Sequence, residues 1–125
     1  MQLEGAWQAS HAIDIAQTIH GAGMDSHCYY ESDPITRHIT GTHPSQSGIL
    51  AWGIGYAGFH YAVSRFLDAH APPWIAQTWS WLSLADTAYA NVHNYSVGIR
   101  IGAPNTFQPP CGAGQQQHLL TRRQH

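Results

Sequence analysis

Residues 49–63 read ILAWGIGYAGFHYAV. Gly53, Gly55 and Gly58 fit G-x-G-x-x-G, the fingerprint of a loop that wraps a dinucleotide pyrophosphate. Such a loop needs a strand before the first glycine, a helix after the third, and an acid about 20 residues further on. Ile49 to Trp52 makes a very short strand, Asp68 lies ten residues past Gly58, and Asp86 lies twenty-eight past it. The β-branched runs that a parallel sheet buries are also missing. A helix accounts for more. Gly48, Ala51, Gly55, Gly58 and Ala62 recur at spacings of 3, 4, 3 and 4, which is one stripe of small residues on a helical face. In lipid such stripes let helix backbones approach closely. In water each glycine costs about 1 kcal/mol relative to alanine. Trp52, Tyr56, Phe59 and Val63 form the adjacent bulky face. The stretch is therefore expected to be a membrane helix, with the five small residues as its packing surface.

The charges agree with that placement. The chain has 125 residues and no lysine; five arginines face seven acids, and only 10% of residues are charged. A net charge of −2 gives no basic footprint for nucleic acid. No charged residue falls between His38 and Ser64, between Ala69 and Ala85, or between Thr87 and Ile99. A helix is expected over 47–66; its stretch 47–64 spans about 27 Å, close to a bilayer's hydrocarbon thickness, and Arg65 follows where it can snorkel. Pro72-Pro73 breaks the chain and opens a second helix over 74–98, with Trp74, Trp79 and Trp81 as an interfacial belt and Asp86 at mid-length. A third helix is expected over 5–20, ended by Gly21 and Gly23. Residues 22–46 read as a long polar connection. The segment 102–125, rich in Pro, Gly and Gln, reads as a disordered tail. The expected fold is all-α: a membrane helical hairpin or three-helix bundle occupying residues 1–101. The N-terminal MQLEGAWQAS lacks the basic start of a secretory signal. Cys28 and Cys111 form no C-x-x-C unit and are read as unpaired thiols, with a single disulfide as the alternative.

Each expected helix carries polar groups. His11, Asp14 and Thr18 share one face of the first, with Gln17 beside them; His60 interrupts the second; Thr87, Asn91 and Asn94 share a face of the third, near Asp86. At membrane depth a carboxylate faces a partner or water. Asp14, Thr18, His60, Asp86, Asn91 and Asn94 are therefore expected to hydrogen-bond the helices to one another, with a proton or ion relay as the functional alternative. Ten histidines raise the question of a metal. His11, Asp14, His60 and His93, with Glu31, are the candidate ligands, but no pair has H-x-x-x-H spacing. There is no G-x-S-x-G and no activated cysteine. No catalytic residue and no cofactor is assigned. Glu31 is placed to cap the next segment or to pair with Arg37, and Glu31 with Asp33 reads as a structured loop rather than a catalytic acid pair.

The order Asp14-Ile15-Ala16-Gln17-Thr18, Tyr30-Glu31-Ser32-Asp33-Pro34-Ile35, His43-Pro44-Ser45, His60, then Asn94 with Gly98 resembles a family of small, uncharacterised membrane proteins of proteobacteria and their phages. Their pattern runs D-x-x-Q-T, E-x-N-P-I-L-G, then P-S opening a transmembrane helix. The resemblance covers residues 14–99; Asp33 stands where the pattern has Asn, and residues 36–42 lack the L-G step. It implies an integral membrane protein of bacterial or phage origin and supplies no activity. The expected location is the bacterial inner membrane, multi-pass. Arg37, Arg100, Arg122 and Arg123 lie on one side and Arg65 on the other, which places the C-terminus in the cytoplasm. The expected partners are the bilayer and, through the small-residue stripe, further copies of the chain. The expected role is that of a structural or modulatory membrane component. The alternatives are a membrane-embedded His/Asp metal or proton site, and a soluble helical domain that buries the glycine-rich helix in its own core.

Overall fold

Ser45 starts the helix that holds the glycines. Its hydroxyl accepts from the Gly48 amide at 3.1 Å while its backbone stays extended, the standard answer to an unpaired helical N–H. The computed structural model describes residues 2–24, 31 and 33–101. Among these it is all-α: α1 Gln2–Met24, α2 Pro34–Thr40, α3 Gln46–His70 and α4 Pro73–Ser96. Pro72-Pro73 separates α3 from α4 as expected, since the first prolines of a helix forfeit only amides that have no partner there. Gly98, at φ 98°, ends α4 and lets Ile99 N donate to Asn94 O at 2.9 Å. Cys28, Cys111 and the 102–125 tail lie outside the described residues.

The short α2 falls inside the segment expected to be an irregular connection. Asp33 is extended, as a residue before proline must be. Its carboxylate accepts from Thr36 N at 2.6 Å, with Pro34 in the first helical turn. Gly41, at φ 90°, closes the helix. The Asp-Pro pair was a helix start as well as a turn signal.

The three long helices run up, down and up. Gln46 donates to Ile19 O and Glu4 meets His60, so α1 and α3 are antiparallel. Asn91 donates to Ser10 O and Asn94 to Asp14, so α1 and α4 are parallel. α1 packs against both, while α3 and α4 touch mainly near their hairpin, where Trp79 Nε1 donates to Ser64 Oγ at 3.0 Å. The apolar core is small: Ala22, Ile49 and Ile99, with Ile15 and Ile19 against them.

One expectation about α3 is corrected. Within the chain, the stripe is not the packing face. Ala51, Gly55, Gly58 and Ala62 are exposed, Gly48 is half-buried, and a Cβ at Gly55 or Gly58 would meet nothing within 4 Å. The face toward α1 is Ile49, Gly53, His60 and Ser64, all buried. Gly53 takes the close approach, since a Cβ there would lie 2.7 Å from Ile15 Cδ1. The stripe was chosen by side-chain size, whereas the groups on α1 decide which face is covered. In addition, no helix among the described residues is long and apolar enough to cross a membrane. α3 has the length, with 25 residues, but its glycines, His60 and hydroxyl- or indole-bearing rings dilute its apolar character.

Much of the buried set is polar and much of the exposed set apolar, although Arg65, Asp68, Gln77, Thr78, Asp86 and His93 are exposed too. The buried set includes His11, Gln17, Thr18, Glu31, His60, Ser64 and Thr87. The outer face of α1 is Gly5, Ala6, Ala9, Ala12, Ile13 and Ala16. Ile54 and Leu82 are each 66% exposed, and Phe59, Phe66, Trp74, Trp81 and Val92 are exposed as well.

Gly53→Val is expected to cost about 1–3 kcal/mol by overpacking against Ile15. Gly55→Ala and Gly58→Ala should leave the fold intact, gaining up to about 1 kcal/mol each where water surrounds the helix. Denaturation followed by helical circular dichroism separates the two faces; equal losses at Gly53 and Gly55 would contradict this packing.

Candidate functional site

The polar groups of α1 are met by groups on the other long helices at two levels. Near the hairpin end, Trp7 and His60 are each 1% exposed and stack with ring centroids 3.6 Å apart and planes 8° apart. His11 stacks on the other face of Trp7 at 4.8 Å, and Trp79 stacks on His60 at 5.0 Å. The four rings form one column, from α1, α3 and α4. His11 Nε2 sits 3.1 Å from Gly53 O. A carbonyl only accepts, so this nitrogen carries the hydrogen. His60 Nδ1 lies 3.1 Å from Glu4 Oε2 and 3.3 Å from Oε1, and Ser64 Oγ is 3.5 Å away. His60 Nε2 is buried without a hydrogen-bond partner among the described residues. Hydrogen on Nδ1 leaves only a lone pair unmet, which costs less than an unmet N–H⁺ beside a hydrophobic ring.

At the other end, where α3 and α4 diverge, lies a cavity of about 500 Å³. α1 supplies its floor with His11, Asp14 and Thr18; Trp52 and Tyr56 of α3 form one wall; Asp86, Tyr89, His93 and Asn94 of α4 form the other; Glu31 and the start of α2 cover it. Asn94 Nδ2 donates to Asp14 Oδ1 at 2.9 Å and to Gln17 Oε1 at 3.4 Å. Asn91 Nδ2 donates to the Ser10 carbonyl and hydroxyl, both at 2.9 Å. Glu31 is buried, and its Oε1 accepts from Asp33 N at 3.0 Å, so it holds the entrance to α2. Asp86 and Asp33 both act on Asp14 by like-charge repulsion. No arginine lines this space, and the chain has no lysine. The cavity can therefore take a positive charge or a proton, and an anion would find no counter-charge there.

Of the residues singled out from sequence, Asp14, Thr18, Asp86 and Asn94 face this one cavity, together with His11 and His93. Asn91 ties α4 to α1 beside it, and His60 stands apart in the ring column. Among the described residues, no group of three or more His, Cys, Asp or Glu side chains is arranged to hold a metal ion. Glu4, Trp7 and Ser10 were not singled out, and Trp79, read as part of an interfacial belt, instead packs on His60 and donates to Ser64. A signal existed for Trp7, which lies four residues before His11 on the same helical face. None existed for Ser10 or Glu4, whose partners are separated from them by 81 and 56 residues. Compared with family models, with curated proteins and with solved structures, the chain matches none.

Asn94→Leu removes the donor to Asp14 and Gln17 and is expected to destabilise the fold by about 1–3 kcal/mol, the cost of leaving buried acceptors unmet. Val92→Ala, at an exposed position of the same helix, should stay within about 0.5 kcal/mol. Parallel denaturation curves of the two variants provide the check.

Proposed function

We propose that the chain is a small multi-pass helical component of a membrane, structural or modulatory in role, with α1, α3 and α4 turning polar side chains inward and apolar ones toward lipid. The observation that carries this is a buried set rich in histidine, glutamine, glutamate, threonine and serine beneath large exposed Ile, Leu, Phe, Trp and Val side chains. In water, an exposed apolar surface on this scale marks an interaction face. In lipid it is the ordinary exterior of a bundle that pairs polar groups between its helices, as Asn94 with Asp14 and Asn91 with Ser10 do here. The up-down-up order puts Arg65 at one end of the bundle and Arg37 and Arg100 at the other, which supports a cytoplasmic C-terminus. The likeness to small membrane proteins of proteobacteria and phages supports a bacterial inner-membrane location, and it rests on the motifs alone. Exposed Gly55 and Gly58 leave the stripe open to a second copy.

A second reading is favoured by the hydropathy of the helices, none of which is long and apolar enough to cross a membrane. In it the same outer faces are covered by a protein partner. Mean hydropathy averages the polar inner face with the largely apolar outer one, so it underrates helices of this kind, although Gln77, Thr78, Asp86 and His93 of α4 are exposed as well. For that reason the lipid reading is preferred.

Expression in a bacterium followed by an alkaline carbonate wash of the membranes decides between them. The chain is expected to stay in the pellet and to need detergent for release. Recovery in the wash, as a clear monomer in plain buffer, would overturn the proposal.

A further inference from the structure

The cavity between the diverging ends of α3 and α4 combines features that recognise one kind of ligand. Its volume of about 500 Å³ falls within the roughly 300–1,000 Å³ of small-molecule sites. Two of its carboxylates are occupied: Asp33 caps α2, and Glu31 accepts from the Asp33 amide. The other two are open. Asp14 gives one oxygen to Asn94, and neither its second oxygen nor the Asp86 carboxylate receives a hydrogen bond from a described residue. Thr18 supplies a separate observation. It is 9% exposed and lines the cavity, and its hydroxyl has no hydrogen-bond partner among the described residues. The hydroxyl opens onto the cavity, where a ligand that donates to it finds an uncommitted acceptor. The walls are aromatic, with Trp52 and Tyr56 on one side and Tyr89 on the other, and ring faces attract cations.

We propose that this cavity binds a protonated aliphatic di- or polyamine, its ammonium groups set against Asp14, Asp86 and the Thr18 hydroxyl, and its methylene chain against Trp52, Tyr56 and Tyr89. An ammonium donates in three directions, so it can serve carboxylate and hydroxyl together. A bare metal ion fits less well, because no three ligating side chains converge among the described residues. The inference does not depend on what covers the outer faces of the helices.

Purified full-length protein, in detergent or plain buffer as its solubility requires, is titrated calorimetrically with spermidine, with 1,4-butanediol as an uncharged control and Zn²⁺ and Mg²⁺ as metal competitors. Saturable spermidine binding with no response to butanediol is expected. Asp14→Asn and Asp86→Asn should each weaken binding at least about tenfold, since each strands an ammonium without its counter-charge. Thr18→Val should weaken it less. Glu4→Gln, in the ring column outside the cavity, should bind as wild type. Asp86 is exposed, so its variant keeps the test decisive if Asp14→Asn fails to fold. The proposal is overturned if folded wild type does not bind spermidine saturably, if butanediol binds equally, if the Asp86 variant binds as wild type, or if either metal displaces spermidine at lower concentration.

Discussion

Asp14 and Asn94 meet across the α1–α4 contact, and Glu4 and His60 across the α1–α3 contact. Each of these bonds contributes only about 0.5–1.5 kcal/mol net, but a buried group left without its partner costs about 1–3 kcal/mol. The interior of the bundle is therefore held by the penalty for misalignment more than by apolar burial, for which Trp7, Ala22, Ile49 and Ile99 are the fully buried side chains among the described residues. A slide of α1 by one turn would part Ser10 from Asn91, Asp14 from Asn94 and Glu4 from His60 together. Oily side chains tolerate such slides, whereas directional pairs do not. Register follows from the polar residues, and the positions of all remaining side chains follow from register.

The cavity is a consequence of the same arrangement. Because α1 binds both other long helices, α3 and α4 have no need to meet along their length, and they part beyond the Trp79–Ser64 contact. Apolar side chains could have closed the gap. Instead it is floored by Asp14 and Thr18, and it is covered by a segment whose own order depends on Asp33 and Glu31. A carboxylate thus serves three ends there: it caps a helix, it ties two others, and it sets the sign of the potential in the space between them.

Much of this could be read from residue patterns alone. The three long helices were legible from Pro72-Pro73, from Ser45 and from the run without charges, although α1, α3 and α4 begin or end up to four residues from the expected limits. The shared face of His11, Asp14 and Thr18 was legible because helical periodicity is local. α2 was missed because seven residues give too short a pattern, although Asp33-Pro34 carried the cap. The partners of Glu4 and Ser10 could not be read, since pairing across 56 and 81 residues is set by topology. The stripe failed as an internal packing face for a related reason. Size tells which side chains permit close approach, but only the neighbouring helix decides where that approach occurs, and Ile15 selects Gly53.

The displaced stripe bears in turn on what surrounds the molecule. A Cβ at Gly55 or Gly58 would meet nothing within 4 Å, so the absence of a side chain at these glycines serves no close approach within the isolated bundle. In water they would each cost about 1 kcal/mol of helix stability, set beside an outer face of Leu50, Ile54 and Phe59 that water also disfavours. Both features are unfavourable on an aqueous surface. Both change sign when the surroundings are apolar, because lipid accepts the large side chains and a neighbouring helix can seat against the small ones. Average hydropathy registers neither effect, since glycine scores as neutral wherever it sits and the inward histidine is counted with the outward isoleucine. The lipid reading proposed above therefore turns on the direction in which each residue points, and on α3 the outward residues from Leu50 to Ala62 are uncharged, with Leu50, Ile54 and Phe59 among them.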